Sequence, residues 1–238
     1  MKRLVPLGLA VALLLAVVAV SSPTETHAQG AGLVSSLLNR MERNKQTLKS
    51  LRANVDMVKY NAQIGDEDKY KGVVLYVPAA GRNAYVRIDW SYPQNETLAV
   101  ANGKFTLFRP RLNMAYVGNA NSRTPRKEGN AAFEFLSMSK QELAARYDVQ
   151  DMGQERLSGS LWSGGVSMSH VKLVPKGAAS FKWAEAWIDK DGMPVQTKVV
   201  EKNDDSTTVR LSNLQRNASF SLDEFILKLA PGVKIVPA

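Results

Sequence analysis

Most of this chain alternates apolar and polar residues with a period of two, and this pattern limits its fold more than any other feature. In the clearest run, Ala84, Val86, Ile88 and Trp90 alternate with Tyr85, Arg87 and Asp89. Such a run is typical of a β-strand with one face against a core. Similar runs lie at 55–60, 71–77, 96–101, 104–109, 112–117, 147–152, 156–162, 166–174, 181–189, 194–202, 207–214 and 224–229. The sequence therefore predicts about a dozen strands.

Short turn signals separate these runs. Asn102-Gly103 and Asp191-Gly192 are typical two-residue hairpin turns, and Gly153 marks a further turn. Strands joined by such short links must be antiparallel neighbours. We expect a wide antiparallel sheet, and sheets of this width usually curl.

Two stretches with helical spacing interrupt the strand pattern. The first, at 33–50, places Leu33, Leu37, Leu38 and Met41 on one stripe, and the second lies at 131–146. We expect these amphipathic helices to cover the inside of the curled sheet and to prevent its closure. The predicted fold is mainly β with helices, a half-open antiparallel β-barrel.

The first 28 residues have the pattern of a secretory signal peptide. Two basic residues precede an apolar run at 4–20, and the small-residue exit ends at Ala28. An uncleaved membrane anchor is the alternative, but the run is short for a bilayer span. We expect a mature chain of one domain at 29–238, located in the periplasm. It has no cysteine to carry a lipid anchor of its own.

The sequence offers no clear catalytic or metal-binding constellation. Cysteine is absent, and His170 is the one histidine beyond the predicted leader, within a strand run. The acidic stretch Asp66-Glu67-Asp68 is more typical of a solvated turn than of a calcium site. The formal net charge of +9 comes without a basic helix or an aromatic-basic repeat. We expect no enzyme, no cofactor and no nucleic-acid partner.

The order of several short motifs resembles that of a known family, the periplasmic outer-membrane lipoprotein carriers of the LolA type. The matching signals, in chain order, are the N-terminal amphipathic helix, Gly72 in a strand, Ile88-Asp89-Trp90, Pro93, Asn102-Gly103-Lys104, Asn130 to Phe133, Leu136, Tyr147, Leu173-Val174-Pro175-Lys176, Asp191-Gly192 and Phe225 to Val233.

The resemblance implies an eleven-stranded incomplete barrel with a helical lid over a hydrophobic cavity. It implies a monomeric carrier that takes acylated lipoproteins from an inner-membrane ATP-driven complex and delivers them to an outer-membrane receptor. The residues expected to line the acyl-chain cavity are Val86, Ile88, Trp90, Phe133, Leu136 and Met168. Val77 stands where better-known members have an arginine that latches the lid, and Arg82 and Arg87 are the alternative latches.

Two other functions fit the same residues. One is a LolA-like protein that binds another lipid or amphiphile, and the other is a periplasmic protein that binds partners through its basic surface and sheet edge.

Overall fold

The computed structural model describes residues 26–78, 84–120, 138–157 and 165–238, with side chains from Gly32 onward. These residues form one twelve-stranded sheet in the order β12-β6-β5-β4-β3-β2-β1-β11-β10-β9-β8-β7. The strands are β1 Leu51–Asn61, β2 Asp66–Val77, β3 Tyr85–Tyr92, β4 Glu96–Ala101, β5 Lys104–Arg109, β6 Met114–Asn119, β7 Tyr147–Arg156, β8 Ser167–Pro175, β9 Phe181–Ile188, β10 Pro194–Glu201, β11 Ser206–Arg216 and β12 Lys234–Pro237. The sheet is open, with β12 and β7 at its two ends. The mainly β, half-open fold predicted from the sequence is confirmed.

Short turns join successive strands as antiparallel neighbours, as predicted. Asn102 and Gly103 join β4 to β5 with φ angles of 52° and 73°, and Gly192 turns β9 into β10 with φ of 90°. The last strand differs from the expectation, because β12 pairs with β6 in parallel. It adds one strand to the eleven that the family resemblance implies.

The structure corrects several predicted elements, among them the expected turn at 66–68, which is the start of β2. Gly153, predicted as a turn, lies at a β-bulge with φ of 88° inside strand β7. This strand contains the whole predicted run at 147–152 but only Arg156 of the run predicted at 156–162, and residues 158–162 lie outside the described residues. The run at 224–229 is not a strand, because Ser221 and Glu224 form a reciprocal capping box that begins the short 3-10 helix Leu222–Phe225.

The first helix, α1, spans Thr26–Thr47 and packs on the β7 side of the sheet. Leu37 and Leu38 are buried there against apolar side chains of β8, β9 and β10. The contacting side chains are Val171, Leu173, Ala184, Ala186, Ile188 and Val199. We call the sheet face that α1 covers the inner face, and the opposite face the outer face. No helix of the described residues is long and apolar enough to span a bilayer.

A short second helix, α2 at Lys140–Arg146, joins α1 to the edge strand β7. Ser139 caps it and forms a capping box with Glu142, while Leu143 is buried against Leu38. The Lys140 amide donates to the Glu42 carboxylate of α1 at 3.0 Å. The helix predicted at 131–146 is therefore observed in its last part, and residues 131–137 lie outside the described residues.

The C-terminal segment after β11 crosses the outer face of β3 and β4. Phe225 is buried there, with its ring 5.8 Å from that of Tyr85. Arg87 donates through Nε to both oxygens of Asp89, at 3.1 and 2.9 Å, and through one terminal nitrogen to the Glu224 carbonyl at 2.8 Å. Arg87 therefore links the outer face of β3 to the C-terminal segment.

The turn between β9 and β10 touches α1 so closely that only glycine fits. A Cβ on Gly192 would lie 2.3 Å from the Arg40 carbonyl oxygen. We expect Gly192→Ala to lower the free energy of unfolding by about 2 kcal/mol or more, because backbone strain and a clash add. Gly232→Ala is the matched control, since Gly232 also has a positive φ, of 88°, but nothing lies within 4 Å of its added Cβ. It should cost only about 1 kcal/mol in urea unfolding. Equal losses would show that the contact between the turn and α1 does not matter.

A second prediction concerns the outer-face arginine. Arg87→Leu removes the hydrogen bond to the Glu224 carbonyl, and we expect faster proteolysis and amide exchange at 222–228 with a loss of about 1 kcal/mol. Arg109→Leu is the control, because Arg109 is about equally exposed and pairs with Glu96 at 3.0 Å, away from this segment. Unchanged cleavage of the C-terminal segment in the Arg87 variant would contradict this account.

Candidate functional site

Apolar side chains form continuous rows across the inner face of β2 to β6. Strand register aligns side chains on neighbouring strands, so residues paired across the ladders point to the same face. One row runs Val74, Ile88, Leu98, Leu107 and Tyr116. The next row runs Tyr76, Val86, Val100 and Phe105 and ends at Gly118, which has no side chain. The five strands thus present one broad apolar surface.

This surface is fully buried at one end and only partly buried at the other. Val74 and Ile88 are 1% and 3% exposed and belong to the core cluster around β1, β2 and β11. Toward β6 the row continues through side chains that are only partly buried, among them Leu98 and Leu107. Because α1 packs on the strands at the opposite end of the sheet, this half of the inner face is not covered by it.

Aromatic rings with cations above them border the apolar surface. The Arg109 guanidinium lies 5.5 Å from the centre of the Tyr116 ring and is ion-paired with Glu96 at 3.0 Å. The Lys59 ammonium lies 5.9 Å from the centre of the Tyr70 ring. The surface therefore has an apolar centre and a charged rim, an arrangement suited to an amphiphile.

One tyrosine of the apolar surface, Tyr76, is buried. Burial raises the pKa of the Tyr76 hydroxyl above its ordinary value. Since even an unperturbed tyrosine is neutral at pH 7, Tyr76 contributes no charge to the inner face.

The structure places the predicted cavity residues as follows. Val86, Ile88 and Trp90 point to the inner face together, with Val86 and Trp90 packed against the core cluster that contains Ile88. Met168 is fully buried in that cluster, on β8. Its neighbour Ser169 accepts a hydrogen bond from Arg40 of α1 at 3.0 Å, so strand alternation turns Met168 to the outer side of β8. Phe133 and Leu136 lie outside the described residues.

The two alternative latches are in different positions. Arg82 lies outside the described residues. Arg87 is on the outer face, bonded to Asp89 and Glu224, and residues 131–137 of the expected lid helix lie outside the described residues. A latch role for either arginine stays a prediction.

Several inner-face residues were not singled out from the sequence. They are Tyr70, Leu98, Val100, Phe105, Leu107 and Tyr116. The sequence does indicate their position, because the Asn102-Gly103 turn fixes the register of β4 against β5. The register in turn decides which residues share a face with Ile88.

A cavity lies on the outer face. A polar hollow of about 720 Å³ lies over β1 to β4 and includes Asn54, Asp56, Lys71 and Asp89. Among the described residues, no group of three or more His, Asp or Glu side chains could hold a metal ion.

Solved structures share this fold at low sequence identity. An uncharacterized conserved protein from Thermus thermophilus matches with a TM-score of 0.54 and 13% identity, covering 87% of this chain and 99% of the other. MucB matches with a TM-score of 0.54 and 12% identity, covering 83% of this chain and 63% of MucB. The lipoprotein LppX from Mycobacterium tuberculosis matches with a TM-score of 0.45 and 14% identity, over 79% and 99% of the two chains.

At the level of sequence, no curated protein matches significantly. The family model described as "Outer membrane lipoprotein carrier protein LolA" matches residues 81–228, which is more than half of the chain and includes β3 to β11. The chain therefore belongs to the LolA family of outer membrane lipoprotein carrier proteins.

Proposed function

We propose that this protein is a periplasmic carrier that binds the acyl chains of lipoproteins on the apolar inner face and transfers the lipoproteins from the inner to the outer membrane. The observation that carries the proposal is the row Ile88, Leu98, Leu107 and Tyr116, which passes from buried to partly buried beyond the strands that α1 covers. Family membership supports the same conclusion. Carrying requires no bond to be made or broken, so we assign no catalytic residue.

The energetics of acyl chains explain why such a carrier is needed. Three acyl chains carry on the order of 40 methylenes, and at about 0.8 kcal/mol each their exposure to water would cost roughly 30 kcal/mol. A lipoprotein therefore does not cross an aqueous compartment unaided. An apolar surface that replaces the bilayer removes most of this cost.

The free energy of acyl chains in the bilayer also indicates which partners the carrier needs. Acyl chains are as stable in a bilayer as on a protein surface, so a carrier gains little by extracting them alone. We propose that an inner-membrane ATP-driven complex loads this protein. We also propose that an outer-membrane receptor unloads it. The signal-like residues 1–28 support export to the periplasm.

The cargo can be identified directly. Native mass spectrometry of the protein isolated from its own periplasm should detect a complex with an acylated protein. A complex with a free phospholipid or glycolipid would show that the cargo is another amphiphile and not a lipoprotein. Protein that carries nothing after gentle isolation, and that also fails to bind a lipoprotein released from inner-membrane vesicles, would contradict the proposal.

A pair of adjacent substitutions tests the surface. Leu107→Glu places a carboxylate on the inner face, and we expect lipoprotein retention to fall by about tenfold or more, because acyl chains would desolvate the charge. Thr106→Glu is the control, since Thr106 is the adjacent half-buried residue of β5 but points to the outer face. Circular dichroism should show both variants folded. Equal retention by the two folded variants would exclude the inner face of β5 as the binding surface.

A further inference from the structure

A nearly buried histidine lies between two glutamates at the β7 end of the sheet. The side chain of His170, on β8, is 12% exposed and stacks on Trp187 of β9, with ring centres 4.3 Å apart and planes 11° from parallel. Its Nδ1 lies 3.1 Å from a carboxylate oxygen of Glu155 on the edge strand β7. The same oxygen accepts a hydrogen bond from Trp187 Nε1 at 2.7 Å. Three strands therefore meet at one carboxylate.

The other ring nitrogen has no hydrogen-bond partner among the described residues. Nε2 of His170 is buried and lies 3.8 Å from the Glu185 carboxylate of β9. A carboxylate only accepts, so the contact with Glu155 assigns the proton of neutral His170 to Nδ1 and leaves a lone pair on Nε2 facing Glu185. A second proton would convert this unfavourable contact into an attraction on both sides of the ring.

Charged side chains of β8, β10 and β11 lie near the group formed by His170, Glu155 and Glu185. Lys172 on β8 and Lys198 on β10 lie over the Trp183 ring, at 4.8 and 5.9 Å from its centre. They flank Glu185 in the strand register. Arg210 of β11 donates to Gln196, which pairs with Trp187. Glu155 and Glu185 remain the two groups that contact the His170 nitrogens. They lie at different nitrogens of the ring and do not converge on one point, so the group is not a metal site.

This group lies at the edge of the sheet, where it helps to hold strand β7 to β8. β7 is an edge strand, and Val149, before its bulge at Gly153, packs on the cluster that α1 covers. Beyond the bulge, contacts of Gln154 with Ser167 and Ser169 and of Glu155 with His170 and Trp187 add to the ladder that holds the strand to β8.

We propose that His170 is a proton-controlled clasp of the sheet edge. Its protonated ring joins Glu155 of β7 to Glu185 of β9, and its neutral ring holds Glu155 alone. Histidine ordinarily changes charge between pH 5 and 8, whereas carboxylates are ordinarily ionised over that range. The end of β7 is therefore held more firmly in mildly acidic conditions, and this added hold is lost as the pH rises and the ring loses its proton. The clasp does not require a bound lipid.

Amide hydrogen exchange measured by NMR tests the clasp. Protection factors, which correct for the intrinsic effect of pH, should be about fivefold higher at pH 5.5 than at pH 8 for residues 154–156 and 168–170. The change should follow the same midpoint as the His170 ring resonances. In His170→Gln the pH dependence of protection should disappear.

Further variants keep the test decisive if His170→Gln does not fold. Glu155→Gln and Glu185→Gln keep the ring stack and should each lose most of the pH dependence. Glu67→Gln is the control, because Glu67 pairs only with exposed Lys69 among the described ion pairs and should keep the dependence in full. Protection of β7 that is independent of pH in the unaltered protein, or a dependence that persists in the folded histidine or glutamine variants, would overturn the proposal.

Discussion

A single helix cannot cover the inner face of a twelve-stranded sheet, and the rest of the structure follows from this limit. At about 1.5 Å per residue the 22 residues of α1 extend about 33 Å, whereas twelve strands about 4.8 Å apart extend over about 53 Å. The register of the hairpins nevertheless keeps apolar side chains on the inner face from β2 to β6. Among the described residues no helix covers this part of the face, and an amphiphile bound there would shield the apolar side chains from water.

The place at which α1 is fixed decides which half of the inner face this helix covers. Gly192 in the β9–β10 turn lets the turn touch the Arg40 carbonyl, and α2 ties α1 to β7 through the contact of Lys140 with Glu42. Both attachments lie at the β7 end. On the outer face, the C-terminal segment packs on β3 and is bonded to Arg87. It therefore stabilises this strand from the side opposite the apolar rows.

An open sheet also has two edges, and each is protected in a different way. β12 is a four-residue parallel strand that ends in Pro237, which cannot donate a ladder hydrogen bond. β7 carries a bulge at Gly153 and exposed charges, including Asp151 and Arg156. Both features disfavour pairing with a second sheet. Both edges of the described sheet are thus protected, although α1 covers only part of its inner face.

Local chemistry made much of this structure predictable, and contacts distant in sequence account for the rest. Alternation and the Asn102-Gly103 turn predict the strands and the shared face of Val86, Ile88 and Trp90. The turn predicted at Gly153 was wrong because a bulge and a turn use the same positive φ, and only pairing with β8 separates them. The clasp at His170 has no sequence signal, since Glu155 and Glu185 reach it only through the order of β7, β8 and β9.

The most direct test of the account is the position of a bound acyl chain. A fatty acid with a nitroxide on its chain broadens the NMR signals of methyl groups within reach of the label. The account predicts strong broadening of the Leu98 and Leu107 methyls on the inner face and weak broadening of the Val73 and Thr106 methyls on the outer face. Broadening that is equal on both faces, or strongest on the outer face, would contradict it.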